Sequence, residues 1–192
     1  MVRVPYSTLP IYLRFNVSID ADEATGVALG RIKIALHTLA APQSATVFQT
    51  LCTGSTRDRQ TNKPIGYKGT KIARMIPGFV MTGGELSPSV IAGSTMLSAA
   101  QRGITAEIGS GTGFDGEGVV GMGSLDGSNA AGGAGGGSFF ITFAEARFLD
   151  GKCVVVGKIT EGWDVLRKIE KVRTREGDRP VNEVLVSECG EM

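Results

Sequence analysis

The clearest pattern along the chain is an alternation of apolar and polar residues in two segments near its start. Every second residue between 11 and 19 is apolar, and the same alternation returns at Ile32, Ile34 and Leu36. This period is typical of a strand that buries one face. The turn-forming residues 20–26 separate the two segments, so the pattern predicts an antiparallel hairpin.

The period becomes helical in two later segments. The first begins at Pro42 and ends near Cys52, with Gly54 just beyond it; proline suits the first turn of a helix and glycine the position after its end. The second is predicted over residues 162–171. Its inward-facing side chains would be Val165, Leu166 and Ile169.

Most of the remaining chain consists of short apolar runs between glycine-rich segments. Strands are predicted at about residues 71–76, 79–82, 118–123, 138–142, 153–159 and 183–188. The glycine-rich residues 83–117 and 124–137 are predicted to be loops. Many short strands with two helices favour an antiparallel barrel, which removes exposed sheet edges by closing on itself. The chain contains no linker or repeat, so we expect a single domain over residues 1–192 with its core at about 11–190.

Composition narrows the choice of partners and compartment. Twenty basic and nineteen acidic residues leave a formal charge of +1, which favours neither nucleic acid nor a membrane surface as a partner. No apolar run approaches the roughly 18 residues of a membrane helix. The three cysteines form no C-x-x-C pair, as expected in a reducing compartment. Residues 1–15 lack the apolar core of an export signal, so we expect a cytoplasmic protein, with the nucleus also open.

Two weak motifs argue against cofactor and metal chemistry. Residues 116–121 match G-x-G-x-x-G, but no helical pattern follows them to hold a pyrophosphate. His37 is the only histidine and is expected to lie on the outer side of a strand as a surface residue. A zinc site or a Ser-His-Asp triad would depend wholly on it. We therefore expect no cofactor and no metal.

Two segments leave their interpretation open on pattern alone. The glycine run at residues 132–137 is either a flexible loop or a place where the backbone approaches a ligand closely. Phe139 and Phe140, which follow it, point to opposite faces of one strand. One of them would then pack under a helix or lie exposed in a groove. Arg74, inside the apolar run 72–81, has three interpretations: a structural ion pair, an exposed strand residue or a catalytic group.

A set of short motifs resembles those of a known protein family and thereby favours some of these interpretations over others. They include Gly66-Tyr67-Lys68-Gly69, Ile76-Pro77-Gly78-Phe79, Gly83-Gly84, Ser138-Phe139-Phe140-Ile141, Leu149-Asp150-Gly151-Lys152, Gly157-Lys158 and Cys189-Gly190. Their order and spacing resemble those of the cyclophilins, the peptidyl-prolyl cis-trans isomerases, from residue 11 to residue 192. The resemblance implies a mainly β fold, a closed eight-stranded antiparallel barrel capped by two α-helices. It also implies a monomer that binds proline-containing peptides or proteins and isomerises X–Pro bonds.

The resemblance assigns site residues one at a time. Arg74 matches the catalytic arginine, and Gly123 and Ser124 match the backbone that holds the peptide. The pocket for the proline ring is implied at Phe79, Val80, Phe140 and Leu149. Val80 stands where methionine is usual, and Ser138 where glutamine is usual.

Further departures from the family cluster at the site. Thr82 replaces a glutamine that supports the arginine, Ala73 a histidine, Phe148 a tryptophan associated with cyclosporin, and Cys153 a histidine of the groove. A hydrogen bond to a charged group is worth about 1.5–3 kcal/mol, so losing the glutamine predicts an activity roughly ten- to a hundredfold lower. Weak cyclosporin binding is expected. Packing is the favoured role for Cys153. The alternatives to an isomerase are a non-catalytic proline-peptide-binding module and a scaffold component.

Overall fold

The architecture is mainly β. The computed structural model describes residues 12–19, 27–87, 90, 94, 97, 106–109, 113–123 and 137–192, and in 12–19 it describes the strand and its pairing. The strands within these residues are β1 (Tyr12–Ile19), β2 (Val27–Leu36), β3 (Thr56–Arg57), β4 (Pro64–Ile65), β5 (Ile72–Ile76), β6 (Val80–Gly83), β7 (Val119–Met122), β8 (Phe139–Thr142), β9 (Val154–Glu161), β10 (Thr174–Arg175), β11 (Arg179–Pro180) and β12 (Val184–Glu191). The helices are α1 (Pro42–Thr53) and α2 (Trp163–Glu170), with a 3₁₀ turn at Arg147–Leu149.

Eight of the strands form one antiparallel sheet. Its spatial order is β12-β1-β2-β9-β7-β8-β6-β5, while β3-β4 and β10-β11 form separate two-stranded ribbons. The predicted N-terminal hairpin is confirmed, because β1 pairs with β2 from Tyr12↔Ala35 to Ile19↔Val27. The strand predicted near residues 183–188 extends to Glu191 and pairs with β1.

The sheet curls but is not a closed barrel, so the prediction of closure is wrong. Within the described residues, its two edge strands β5 and β12 meet through a single bridge, Lys71↔Leu185. Beside that bridge, Gly69 N–H donates to the Val186 carbonyl at 2.8 Å. Farther along β5, Met75 N–H instead donates to the carbonyl of Asp178 at 2.7 Å. The ribbon β10-β11 thus occupies the edge that β12 would need for continuous closure.

Both predicted helices are present. Helix α1 ends at Gly54, which has the left-handed φ of 63°, and α2 buries Val165, Leu166 and Ile169 as expected. No described helix has both the length and the apolar character needed to span a membrane.

The start of α1 depends on a residue distant in sequence. Ala41 at the N-cap provides no side-chain cap. The buried carboxylate of Glu107 accepts hydrogen bonds from Gln43 N–H at 2.7 Å and Ser44 N–H at 2.8 Å. It also accepts the Ser44 hydroxyl at 2.6 Å. An anion at this end of a helix satisfies free N–H groups and complements the helix dipole.

Buried apolar side chains divide into two clusters. The larger, which we call the main core, contains the rings of Phe48, Tyr67 and Phe139, whose centroids lie 5.0–5.7 Å apart. The smaller, which we call the second cluster, contains Val80, Phe114, Val119, Phe140, Ala146, Leu149, Cys153 and Val155, with Phe79 packed against it. Phe139 therefore packs under α1 while Phe140 belongs to the opposite face of β8. Both phenylalanines are buried, each in its own cluster.

Candidate functional site

A row of directly paired residues crosses five strands of the sheet. Arg74 of β5 pairs with Thr82 of β6, and Thr82 pairs with Phe140 of β8. Phe140 then pairs with Gly121 of β7, and Gly121 with Val155 of β9. Residues directly opposite in a ladder share one face of the sheet. The row therefore sets a guanidinium, a hydroxyl and an aromatic ring side by side on the face that carries the second cluster.

The second cluster has an aromatic border that reaches solvent. The side chain of Phe148 is 59% exposed, and its ring contacts that of half-buried Phe79 with centroids 5.3 Å apart. Val80, Phe140 and Leu149, the other residues assigned to the proline pocket, are each 1% exposed. Phe79 and Phe148 thus form the accessible edge of the second cluster, beside side chains that are buried.

Phe140 lies in a niche that Gly121 leaves open. A Cβ atom added to Gly121 would lie 2.3 Å from Cζ of Phe140 and 2.8 Å from Cε1 of Phe114. The two phenylalanine rings stack with centroids 5.3 Å apart. Phe114 is itself fixed, because its N–H donates to Asp150 Oδ1 at 2.8 Å and its carbonyl accepts Ala146 N–H at 2.9 Å. Glycine at 121 therefore sets how deeply the ring of Phe140 can pack.

Arg74 lies at the other end of the row and is half exposed. Its Nη2 donates to Oδ2 of Asp178 at 3.0 Å, with the two side chains 52% and 44% exposed. Asp178 belongs to the turn between β10 and β11, on the side of β5 opposite β6. Arg74 is therefore flanked by Thr82 on one side and by a carboxylate on the other.

The remaining predicted site residues lie around the same face. A Cβ on Gly123, whose φ is 137°, would lie 3.2 Å from the sulfur of Cys153. Cys153 is 3% exposed, and burial raises the pKa of its thiol to about 11. Ser138 is half-buried just before β8, and Ser124 lies outside the described residues.

Three further ionisable groups have shifted pKa values. His37 follows β2 as a half-buried residue, and desolvation lowers its pKa. The thiol of buried Cys52 in α1 donates a hydrogen bond to Cys189 in β12, which lowers the pKa of Cys189. Among the described residues, no group of three or more His, Cys, Asp and Glu side chains is arranged to hold a metal ion.

A comparison with known protein families identifies the family of this chain. The family model for cyclophilin type peptidyl-prolyl cis-trans isomerase/CLD matches residues 19–191. The chain belongs to this family. The resemblance found in the sequence motifs is thereby confirmed. Arg74 and Phe140, which the motif resemblance assigned to an isomerase site, lie on one face of the sheet.

Three residues of this face were missed in the sequence. Asp178 carries no local signal, because only the packing of the β10-β11 ribbon against β5 brings it to Arg74. Phe114 lies in a segment predicted as loop, and Gly121 counted only as part of a weak glycine motif. An aromatic residue in a glycine-rich loop and a glycine inside a β-branched run are the signals that could have marked these two.

Proposed function

We propose that this cyclophilin catalyses cis-trans isomerisation of X–Pro bonds in peptides and proteins, with Arg74 as its catalytic residue. One observation carries the proposal. The ladder pairings put Arg74 two strands from Phe140 on the same face, and two strand spacings amount to about 10 Å. An extended arginine can therefore reach a proline ring held beside Phe79 and Phe140.

The reaction requires no nucleophile, proton shuttle or cofactor. Rotation about the X–Pro amide is opposed by a barrier of about 18–20 kcal/mol that comes from conjugation of nitrogen with the carbonyl. A catalyst must bind the twisted amide more tightly than either planar form. In the twisted amide the proline nitrogen regains a lone pair that can accept a hydrogen bond. The guanidinium of Arg74 is permanently charged and presents fixed donors, which suits it to that acceptor.

The apolar part of the site would hold the proline ring while the preceding carbonyl turns. Phe79 and Phe148 provide the accessible aromatic surface, and Phe140, Val80 and Leu149 lie beneath them. The twisted amide is less polar than the planar one, so an apolar surface disfavours it less than water does. Gly123 and Ser124 would supply backbone groups to the peptide. Thr82, Ser138 and Cys153 would line the rest of the groove and alter its sequence preference.

The test is exchange NMR on a short X–Pro peptide with the wild type, Arg74→Ala and a matched control. Arg31→Ala serves as the control, because Arg31 is also an exposed strand arginine but lies on β2. We expect wild type and Arg31→Ala to accelerate exchange and Arg74→Ala to lose most of it. Equal acceleration by all three proteins would contradict a catalytic role for Arg74.

A second function, peptide binding without turnover, is favoured by the burial of the pocket floor. Phe140 and Leu149 are 1% exposed, and Thr82 offers only a hydroxyl where the family uses an amide. In the same experiment, peptide resonances that shift without faster exchange would establish this binding module. If the peptide resonances neither shift nor exchange faster, the result would favour the scaffold role.

Cyclosporin binding provides an independent check on the groove. Phe148 has no indole N–H to donate, and Ser124, Ser138 and Cys153 change neighbouring positions. We expect weak binding in a calorimetric titration, strengthened by Phe148→Trp. Nanomolar binding by the wild type would show that these substitutions matter little.

A further inference from the structure

Arg74 has one ion-pair partner within the described part of the chain, and that partner lies outside the groove. Its guanidinium bonds Asp178 at 3.0 Å. Thr82 faces Arg74 across the β5-β6 ladder, but within the described residues no hydrogen bond joins its hydroxyl to the guanidinium, whose side-chain bond goes to Asp178. The support for the arginine therefore comes from the β10-β11 ribbon.

Exposed ion pairs are usually weak because two flexible side chains must be ordered. The Arg74–Asp178 pair should cost less entropy than most exposed ion pairs, since the backbone of Asp178 is already fixed. Its carbonyl accepts Met75 N–H at 2.7 Å, and it has a φ of 58°, which non-glycine residues adopt mainly in tight turns. Met75 is the residue next to Arg74, so the same turn holds both the strand and the carboxylate. Less conformational freedom remains to be lost when the pair forms.

The geometry of the pair leaves most of the guanidinium available. Asp178 occupies a single donor, Nη2, whereas an arginine carries five N–H groups in a fixed plane. An acceptor on one side of that plane limits rotation of the guanidinium and aims its other donors away from the carboxylate. Because Asp178 lies beyond the outer edge of β5, the donors that it leaves unoccupied are available to the side of the row that holds Thr82 and Phe140.

We propose that Asp178 is the positioning residue for Arg74 and takes over the support that Thr82 does not give. This proposal rests on the proposed isomerase function. Asp178 acts through Arg74 and does not touch the peptide. Its removal would therefore lower turnover more than it lowers peptide affinity.

Asp178→Asn is the variant of choice, because asparagine tolerates a positive φ and retains the backbone carbonyl. We expect kcat/KM for an X–Pro peptide to fall about two- to fivefold, the range of an exposed ion pair, with the change mainly in kcat. In an Arg74→Ala background the same substitution should have no further effect.

Glu183→Gln is the matched control, since it breaks the exposed Lys71–Glu183 pair near the same sheet edge. Thr82→Gln should restore activity to Asp178→Asn by supporting Arg74 from the β6 side.

Two outcomes of these kinetics would overturn the proposal. One is an unchanged or higher rate in Asp178→Asn, as expected if the carboxylate withdraws Arg74 from the peptide. The other is an equal loss in the Arg74→Ala background, which would indicate a general structural effect.

A measurement on the free protein separates this proposal from the proposed function. Nitrogen NMR of the Arg74 side chain reports rotation about its Nε–Cζ bond, which should be slow in the wild type and faster in Asp178→Asn. An active wild type with an equally free guanidinium in both proteins would overturn the positioning role alone. An inactive wild type in which Asp178 slows rotation of the Arg74 guanidinium would overturn the isomerase function but support the positioning role of Asp178.

Discussion

Phe139 and Phe140 are neighbours in β8, yet they belong to two regions of different character. Phe139 is 2% exposed in the main core, where Phe48 and Tyr67 surround it. Phe140 is 1% exposed in the second cluster, whose border includes exposed Phe148 and half-buried Phe79. Burial of the individual residue does not distinguish them. What differs is their surroundings: Phe139 packs between the buried rings of Phe48 and Tyr67, whereas the cluster of Phe140 is bordered by half-buried Phe79 in contact with exposed Phe148.

The largest expected effect compares alanine at these two positions. Phe139→Ala should lower the free energy of unfolding by about 3–5 kcal/mol, because rigid neighbours leave a cavity. Phe140→Ala should lower it by less, because Phe79 and Phe148 can relax into the space. Urea denaturation of both variants measures the difference. A loss for Phe140→Ala as large as that for Phe139→Ala would mean that the border is as rigid as the core.

Peptide binding sharpens the same comparison. Phe140→Ala should weaken binding of an X–Pro peptide, whereas Phe139→Ala should leave it unchanged at temperatures where that variant is folded. Titration by NMR, with the folded fraction checked by circular dichroism, provides the control.

A second prediction concerns a substitution that fills the niche beneath Phe140. Gly121→Ala places a methyl group 2.3 Å from Cζ of that ring, so the ring must shift toward the border. We expect a stability loss of about 1–3 kcal/mol, typical of overpacking, together with a changed peptide affinity. Gly116→Ala is the matched control, since a Cβ there meets nothing within 4 Å. If the two variants denature at the same urea concentration, the niche is not tight.

A third prediction concerns only the main-core side of the molecule. Glu107→Gln removes the carboxylate that accepts the N–H groups of Gln43 and Ser44 at the start of α1. Leaving such donors poorly satisfied should cost about 1–3 kcal/mol of stability without changing peptide affinity. Exposed Glu85→Gln is the control. Weaker peptide binding in Glu107→Gln, but not in Glu85→Gln, would show that the two regions are coupled.

The parts of the fold that were predicted from sequence are those that a local pattern determines. Alternation at Ile32, Ile34 and Leu36 predicted β2, and the Pro42 and Gly54 signals predicted the ends of α1 to within a residue. These succeed because the period of side-chain burial follows directly from backbone geometry. Closure of the sheet was predicted wrongly, because it depends on whether β12 or the β10-β11 ribbon occupies the edge of β5. No local pattern decides that competition.

The candidate site follows the same division. Motif resemblance located Arg74, Phe79 and Phe140, and the structure brings them to one face. The partner of Arg74 could not be found in this way, since Asp178 lies 104 residues away. One of Phe139 and Phe140 was expected to pack under a helix or to lie exposed in a groove; Phe139 packs under α1, and Phe140 is buried as well. Its burial results from Gly121 and Phe114, a contact that no period in the sequence reports.

The smallest expected effect is a pH dependence of stability that comes from His37. Desolvation, with a further contribution from nearby Lys158, lowers the pKa of His37 in the folded protein below its ordinary value of 6.5. The unfolded chain therefore binds a proton more readily than the folded protein as the pH falls through 6.5. Stability should decline over that window and level off below the folded pKa.

Because His37 is the only histidine, urea denaturation at pH 7.5 and 5.5 should show a decline in the wild type that is reduced in His37→Gln. An identical decline in both proteins would place the titrating group elsewhere. The thiol of Cys153, whose pKa is raised to about 11, stays protonated over this interval, and the guanidinium of Arg74 stays charged, so peptide affinity should stay constant while stability changes.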